Sequence, residues 1–295
     1  MSARAPARAR ALAGPRAAAR AAQRAHDENF PVAFLLAPRG VREDLRAVYA
    51  FCRATDDLGD EGPGGPGRRL EALDAWEEDL LRAFGGTPRD PRLRALAVAA
   101  ARRDLAPEPF QRLIEANRMD QRRSRWESYE DLLEYCRHSA TPVGRMVLGV
   151  LGYRDAWRTE MSDATCIGLQ LANFWQDVRR DLDERGRIYL PAEDMARFGV
   201  VEADLRRPSA GPGTKALIAF EVDRARAWLE AGAPLHRFVG PRVALDLRMF
   251  TAGGLAICDA IARQDHDTLS RRPAPGRLGR VRIAAGALGH LMRGR

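Results

Sequence analysis

Two groups of carboxylates, far apart in the chain, are spaced so that each group falls on one face of a helix. In the first segment, YAFCRATDDLGDE at 49–61, the polar face would carry Tyr49, Arg53, Asp56, Asp57 and Asp60, at offsets 0, 4, 7, 8 and 11. At about 100° per residue these positions fall within a sector of roughly 100°. Three carboxylates on one face repel each other unless a cation neutralises them, and Mg²⁺ suits such a site. The alternative is a solvated acidic helix end that runs into the following GPG loop.

The second group combines amides and acids in the segment IGLQLANFWQDVRRDLDERGRIYLP. Gln170, Asn173, Asp177 and Asp181 stand at offsets 0, 3, 7 and 11, again on one face of a continuous helix. Apolar residues fill the positions between them, so we expect the two amides to be buried and to bond a ligand or a neighbouring group. Two such faces predict a shared ligand.

A diphosphate bridged by several Mg²⁺ ions would fit between two helices that face each other in this way. The metal would neutralise the leaving group, so that a C–O bond ionises without a nucleophilic residue. The carbocation that results needs unreactive walls, and aromatic faces stabilise cations. Candidate aromatic residues are Phe30, Phe34, Phe51, Phe174 and Trp175, with ordinary core packing as the alternative for each.

The elements that carry these residues are predicted to be helices throughout. Alanine and arginine are abundant, β-branched residues are sparse, and apolar positions recur at three- and four-residue intervals between short Gly/Pro segments. We therefore predict an all-α, single-domain helical bundle around a central cavity. The predicted helices cover about 39–61, 68–84, 92–105, 108–120, 128–150, 159–183, 214–231 and 240–268.

The net charge of +8 is concentrated at the two ends of the chain. Residues 1–24 and 271–295 carry only basic charges, whereas the charges between them nearly balance. We predict a basic, disordered tail at 1–24, a catalytic domain at 25–272 and a second basic tail at 273–295. One alternative is a basic adaptor that binds RNA or an anionic membrane through these tails. The short apolar and basic stretch in 276–295 suggests attachment to a membrane surface, or a helix packed on the domain.

Several other classes of chemistry have no support in the sequence. The five histidines lack metal-ligand spacing, the four cysteines are scattered, and the glycines at 62–67 follow no strand and alternate with prolines. No dinucleotide-binding motif, signal peptide or membrane span is recognisable, so we expect a cytoplasmic protein without a nicotinamide cofactor.

The chain resembles the head-to-head trans-prenyl synthases, the family of squalene, dehydrosqualene and phytoene synthases. The resemblance covers about 26–272 and rests on four motifs in the same order and spacing. These motifs are NFPVAFLLAP at 29–38, YAFCRATDDLGDE at 49–61, YCRHSATPVG at 135–144, and LQLANFWQDVRRD at 169–181 followed by RGRIYLP. Within the family, the ENFPVA and NFWQDV segments are most similar to the bacterial hydroxysqualene synthase branch.

The resemblance implies a role for each matching position, and an isoprenoid synthase-type fold. It implies two or three Mg²⁺ ions and a prenyl diphosphate substrate, with no nucleic acid partner. Other isoprenoid-pathway enzymes and the inner face of the membrane are further candidate contacts. By resemblance, the metal ligands are Asp56, Asp57, Asp60, Asp177 and Asp181, the substrate-binding residues are Phe30, Phe34, Arg53, Gln170 and Asn173, and the catalytic pocket tyrosines are Tyr135 and Tyr189.

The hydroxysqualene branch implies a specific reaction. Its members ionise presqualene diphosphate, open the cyclopropyl ring and capture the cation with water, which gives hydroxysqualene and diphosphate and classes the enzyme as a carbon–oxygen lyase. The alternative within the family is head-to-head condensation of two farnesyl or geranylgeranyl diphosphates by a transferase.

Two segments depart from the family pattern. The usual VAGxVG stretch reads Ser139 to Gly144 with a proline at 142, which predicts a kink in the helix that lines the pocket. Arg179 and Arg180 stand between the two aspartates of the second motif, where they either help to hold diphosphate or point to solvent.

Overall fold

The computed structural model describes residues 38–62 and 64–276, which all belong to one compact unit. Within these residues all the regular structure is helical, and no strand is present. The all-α, single-domain prediction is therefore confirmed. The helices are α1 (Arg39–Asp60), α2 (Pro66–Phe84), α3 (Arg94–Arg103), α4 (Glu108–Arg122), α5 (Tyr129–Ser139), α6 (Thr141–Leu151), α7 (Ala156–Gln176), α8 (Val178–Arg185), α9 (Ala192–Arg197), α10 (Glu202–Leu205), α11 (Pro212–Gly232) and α12 (Pro241–Arg263), with 3-10 turns at Pro91–Leu93 and Ala233–Phe238.

Helix α7 is the central element of the core. It packs most extensively on α11 and also contacts α6 and α12. Its inward residues, among them Leu171 and Trp175, are fully buried together with Leu217 and Leu229 of α11. Each such side chain contributes about 1.5–3 kcal/mol when it leaves water. This packing fixes the direction of the helix that carries the second polar group.

The predicted helix at 128–150 is two helices, α5 and α6. The break lies at Ala140, two residues before Pro142, whose ring occupies the first turn of α6. Proline is accepted there because its missing N–H would have no partner at a helix start. The kink that the proline predicted is therefore confirmed.

The single helix predicted over 159–183 is wrong, because the chain breaks at Asp177. Asp177 has φ −107° and ψ 15° and ends α7, and α8 begins at Val178. Neither glycine nor proline marks this break. The short helices α9 and α10 were also not predicted, and α12 ends at Arg263 rather than 268, before Asp265 and His266 take left-handed backbone angles.

Among the described helices, none combines the length and the apolar character that crossing a membrane requires. The two basic tails lie outside the described residues, except for the short stretch up to Gly276.

Candidate active site

The first acidic group occupies the last turns of α1. Asp57 is about half exposed, and its carboxylate lies 3.2 Å from the guanidinium of Arg53, one turn earlier. Asp60 is less exposed, and its carboxylate lies 3.2 Å from Arg185 and 3.4 Å from Arg187. Guanidinium groups therefore compensate Asp57 and Asp60, while Asp56 accepts a hydrogen bond from Asn117.

The second acidic group lies on either side of the break between α7 and α8. The carboxylate of Asp177 forms two hydrogen bonds with Arg272, of 2.5 and 2.9 Å. Asp181 is buried, and its carboxylate lies 3.5 Å from the guanidinium of Arg185. Burial raises the pKa of Asp181 to about 7, although the charge of Arg185 opposes this shift.

Arg185 connects the two acidic groups. One of its terminal nitrogens contacts Asp60 and the other contacts Asp181. Because both carboxylates contact one planar guanidinium, they lie within roughly 10 Å of each other. Burial alone would lower the pKa of Arg185, but the charges of Asp60 and Asp181 raise it. The two groups therefore lie close together, as predicted, and a positive charge occupies the space between them.

A wall of stacked aromatic rings lies beside this charged region. The rings of Phe174 and Tyr189 stack with centroids 3.7 Å apart, and Tyr189 also stacks on Trp126 at 4.5 Å. Tyr135 lies 5.8 Å from Tyr189 and 5.2 Å from Trp126. Burial, followed by the charge of Asp120, raises the pKa of both tyrosines. Both hydroxyls therefore remain protonated at neutral pH.

Asp120 of α4 joins the tyrosines to the charged groups. Its Oδ2 accepts a hydrogen bond of 3.0 Å from the Tyr135 hydroxyl and lies 3.1 Å from Arg187. Burial raises the pKa of Asp120 to about 6, against the opposing charge of Arg187. The charges of Asp120 and Asp60 raise the pKa of Arg187, although burial alone would lower it.

The amides of the second polar group do not meet the expectation of burial. Asn173 is exposed and Gln170 is partly exposed. The neighbouring Gln176 is buried instead. Its amide donates to the carbonyl of Pro273 at 2.6 Å and accepts from Arg272 at 3.0 Å, so its polar atoms have hydrogen-bond partners in the interior. Gln170 and Asn173 are thus accessible to a ligand, and their substrate-binding role stays a prediction.

The other aromatic candidates divide into three cases. Phe174 belongs to the stacked wall. Phe51 stacks on Trp76 at 5.9 Å and meets Phe110 edge-on, and Trp175 is fully buried, so ordinary core packing accounts for both. Phe30 and Phe34 lie outside the described residues.

The two arginines between the second pair of aspartates are held by neighbours. Arg179 pairs with Asp183 at 3.2 Å and donates to the carbonyl of Leu205 at 2.9 Å. Arg180 lies 3.4 Å from Glu184. In this structure neither side chain contacts the acidic groups on α1 or at Asp177 and Asp181.

The acidic groups have the donor chemistry that magnesium prefers, but they do not form a ready-made cage. Over 38–62 and 64–276, no three His, Cys, Asp or Glu side chains are grouped so that they alone could hold a metal ion. Magnesium usually binds through one or two carboxylates and completes its shell with water and substrate phosphates. Facing carboxylates that share a guanidinium fit that mode of binding.

The sequence did not single out several residues that build this site. Arg185 and Arg187 belong to the RGRIYLP motif. Of the aspartates that they contact, Asp60 and Asp120 lie far earlier in the chain and Asp181 lies close in sequence. Asp120 lies in a helix to which no role was assigned. The one sequence feature that indicated a place for Arg187 near the acidic groups is its position between the second aspartate pair and Tyr189.

The family model of squalene/phytoene synthases matches residues 23–279 of the chain. A phytoene synthase from Arthrospira platensis is 34% identical over 262 residues, which is 83% of either chain. A hydroxysqualene synthase from Rhodopseudomonas palustris is 34% identical over 250 residues, which covers 83% of this chain and 82% of the relative. Among solved structures, squalene synthase HpnC from Alicyclobacillus acidocaldarius is 48% identical, with a TM-score of 0.77 and coverage of 84% of this chain and 93% of that one.

Proposed function

The chain belongs to the squalene/phytoene synthase family, and we propose that within it the enzyme converts presqualene diphosphate to hydroxysqualene and diphosphate. The observation that supports this proposal is the pair of acidic groups that contact one guanidinium beside a wall of aromatic rings. The charged part suits a diphosphate and the aromatic part suits the cation that diphosphate departure leaves behind.

The metal site in this proposal uses Asp56, Asp57 and Asp60 on α1 and Asp177 and Asp181 across from them. Magnesium bound there would neutralise the diphosphate and make it a better leaving group. Arg53 on the same face of α1, together with Arg185 and Arg187, would contact the diphosphate oxygens.

The substrate part of the site extends from the acidic groups to the aromatic wall. Phe174, Tyr135 and Tyr189 would face the cation, whose charge the ring faces stabilise. Gln170 and Asn173 would hydrogen-bond to the diphosphate or to its bound water, which is consistent with their exposure. Phe30 and Phe34 are proposed to complete the apolar wall.

The proposed reaction balances without an oxidant or a reductant. The C–O bond to diphosphate breaks, the cyclopropyl ring opens, and a water oxygen forms a new C–O bond before its proton leaves. No nicotinamide cofactor is needed for this sequence. The identity of 48% to HpnC and of 34% to the hydroxysqualene synthase supports this branch.

Head-to-head condensation is the second candidate. The phytoene synthase from Arthrospira platensis is as similar as the hydroxysqualene synthase in identity and in coverage, and it favours this alternative. Condensation would use the same acidic groups to ionise one of two prenyl diphosphates. The two candidates therefore differ in substrate and in the use of water.

Product analysis separates the two reactions. Purified protein with Mg²⁺ is incubated separately with presqualene, farnesyl and geranylgeranyl diphosphate in water enriched in heavy oxygen. We expect hydroxysqualene from presqualene diphosphate, with one heavy oxygen atom per molecule. Consumption of farnesyl or geranylgeranyl diphosphate to a condensed product, with presqualene diphosphate unchanged, would contradict the proposal.

A further inference from the structure

Helix α4 contacts the site through three residues on one of its faces. Asn117, Asp120 and Gln121 stand at i, i+3 and i+4, so their side chains project from the same side of the helix. Asn117 donates to the carboxylate of Asp56 at 3.4 Å, and Gln121 donates to the carbonyl of Gly59 at 3.0 Å. This face therefore lies against the turn of α1 that carries the first acidic group.

The side chain of Asn117 on α4 packs directly against Gly59 of α1. A Cβ added there would lie 2.2 Å from the Asn117 Oδ1 atom. A larger residue at position 59 would therefore displace the Asn117 side chain, which donates a hydrogen bond to Asp56. One turn further along α4, Asp120 contacts a tyrosine instead, since its carboxylate accepts a hydrogen bond from Tyr135.

Asp120 has a buried carboxylate with partners on two other elements. Its Oδ2 binds the hydroxyl of Tyr135 on α5 and the guanidinium of Arg187 in the segment after α8. Arg187 in turn lies 3.4 Å from Asp60. The Oδ1 of Asp120 is buried and makes no hydrogen bond within the described residues. One carboxylate therefore holds a tyrosine and an arginine of the proposed site at the same time.

This arrangement fixes which atoms of Tyr135 remain available. Its single O–H proton is donated to Asp120, so the hydroxyl can offer only oxygen lone pairs to other groups. Arg187, shared by Asp120 and Asp60, is likewise held in one orientation, since both partners contact its terminal nitrogens.

We propose that Asp120 is a positioning residue for the reaction: it orients Tyr135 with its lone pairs toward the cation and fixes Arg187 beside the first acidic group. This inference rests on the proposed function only in that Tyr135 faces the reacting carbon atoms. Asp120 itself acts through Tyr135 and Arg187. Its removal should therefore lower kcat more than it raises KM.

The test is a double-mutant cycle of Asp120→Asn and Tyr135→Phe. Asparagine keeps the size of Asp120 but offers Arg187 no charge. We expect kcat to fall about tenfold or more in each single variant and about twofold or less further in the double variant, because both changes remove the same arrangement. The assay uses whichever diphosphate the wild type accepts, so failure of the proposed function does not affect the comparison.

Asp44→Asn is the matched control. Asp44 is also a buried aspartate paired with arginine, since Arg103 lies 2.6 Å away, but it stands near the start of α1 and contacts none of the site residues. This variant should lose stability to a similar extent as Asp120→Asn and keep its kcat within about twofold.

Loss of folding is addressed by a second variant. If Asp120→Asn does not fold, the effect of Asp120 is measured in the Arg187→Gln background. Adding Asp120→Asn there removes both charges of the pair, should give a folded protein, and should still lower kcat about tenfold below that of Arg187→Gln alone, because Tyr135 loses its partner. The proposal would be overturned if kcat of the folded variant falls less than about tenfold. It would also be overturned if the fall in kcat of the Asp120→Asn, Tyr135→Phe double variant equals the product of the falls in the two single variants.

Discussion

Arginine side chains compensate the carboxylates of both acidic groups in this structure. Arg53 pairs with Asp57, Arg272 pairs with Asp177, and Arg185 lies between Asp60 and Asp181. Carboxylates this close would otherwise repel each other, which raises the cost of ionising them. A bound metal would take over this role, so the guanidinium groups would become free to contact diphosphate oxygens.

The role of Arg185 can be tested by replacing it with glutamine. Without metal, Arg185→Gln removes the guanidinium that contacts Asp181 and leaves Asp60 with Arg187 as its partner. The free energy of unfolding should therefore fall by about 1 kcal/mol, with partial exposure limiting the effect. Addition of Mg²⁺ and diphosphate should restore the loss. Thermal unfolding in a chelator and with Mg²⁺ plus diphosphate measures both effects.

Arg180→Gln is the control for this prediction. Its guanidinium is about as exposed as that of Arg185, and among the described residues it pairs with Glu184, one turn later. Addition of Mg²⁺ and diphosphate should raise the thermal midpoint of Arg180→Gln no more than it raises that of the wild type. An equal response in the two variants would show that Arg185 has no special relation to the acidic groups.

Asp57→Ala should abolish turnover at saturating Mg²⁺ and leave stability nearly unchanged. Asp57 is half exposed, and an exposed pair one turn apart contributes under about 1 kcal/mol. Asp183→Ala is the control, since Asp183 is similarly exposed and pairs with Arg179 one turn away. Activity assays and thermal unfolding of both variants decide the matter. Retained activity in Asp57→Ala would mean that this aspartate belongs to a solvated acidic face.

Asp177→Ala should differ from Asp57→Ala in stability, although turnover is lost in both. Asp177 is mostly buried, and two charge-assisted hydrogen bonds join it to Arg272. Its removal should lower the thermal midpoint more than Asp57→Ala does. Equal midpoints for the two variants would show that the contact with Arg272 contributes little.

At the residue scale, the sequence identified the acids but not their partners. The acidic residues Asp57, Asp60 and Asp177 could be predicted from the sequence because their spacing is local and follows the helical period. The pairing of Asp60 with Arg185 joins residues that are distant in sequence and depends on how α1 and α8 meet. No local pattern encodes that contact.

At the scale of elements, one of the two helix breaks could be predicted from the sequence and the other could not. Pro142 marked the break between α5 and α6, because proline interrupts helical hydrogen bonding. The break at Asp177 follows instead from tertiary contacts, since Gln176 and Asp177 both bond the segment at 272–273. Helical periodicity alone therefore predicted one helix where two exist.

The contact between α7 and α11 depends on a glycine. A Cβ at Gly168 would lie 2.7 Å from Cγ and 2.8 Å from the backbone nitrogen of Leu229. Gly168→Ala should therefore lower the free energy of unfolding by about 1–3 kcal/mol. Gly253→Ala on α12 is the control, because nothing lies within 4 Å of its added Cβ, and it should be neutral or stabilising by about 0.5–1 kcal/mol. Denaturant unfolding that ranks Gly168→Ala as no less stable than Gly253→Ala would contradict this interpretation.

The contact between α9 and α11 should depend on pH. Glu221 is fully buried beside Asp194 and Arg224, and burial raises its pKa to about 8. The folded state thus keeps a proton that the unfolded state releases near its ordinary pKa of 4.5. Between about pH 5 and pH 8, the wild type should therefore lose stability relative to Glu221→Gln, by at most about 1.4 kcal/mol per pH unit.

Thermal unfolding across this pH range checks the prediction, with Glu230→Gln as the control. Glu230 is exposed on the same helix, so its replacement should leave the pH dependence of the wild type intact. If Glu221→Gln retains that dependence as well, Glu221 is not the group responsible.

At the scale of the whole molecule, the all-α class followed from composition and period, and the order of motifs indicated the family. What the sequence could not supply is the meeting of α1, α4, α8 and the segment 186–191, where Asp60, Asp120 and Arg187 come together. That meeting depends on the packing of whole helices, of which α7 against α11 is the largest contact. It converts two separate acidic patterns into one region beside an aromatic wall.

A crystal structure with Mn²⁺ and a thio-linked, unreactive analogue of presqualene diphosphate would locate the proposed metal–diphosphate site. We predict anomalous peaks between the Asp57–Asp60 turn of α1 and the Asp177–Asp181 segment, with carboxylate oxygens at about 2.2 Å and diphosphate oxygens completing each shell. The hydrocarbon part should extend along Phe174 and Tyr189. Manganese bound at only one acidic group, or diphosphate bound elsewhere on the protein, would contradict a site shared by the two groups.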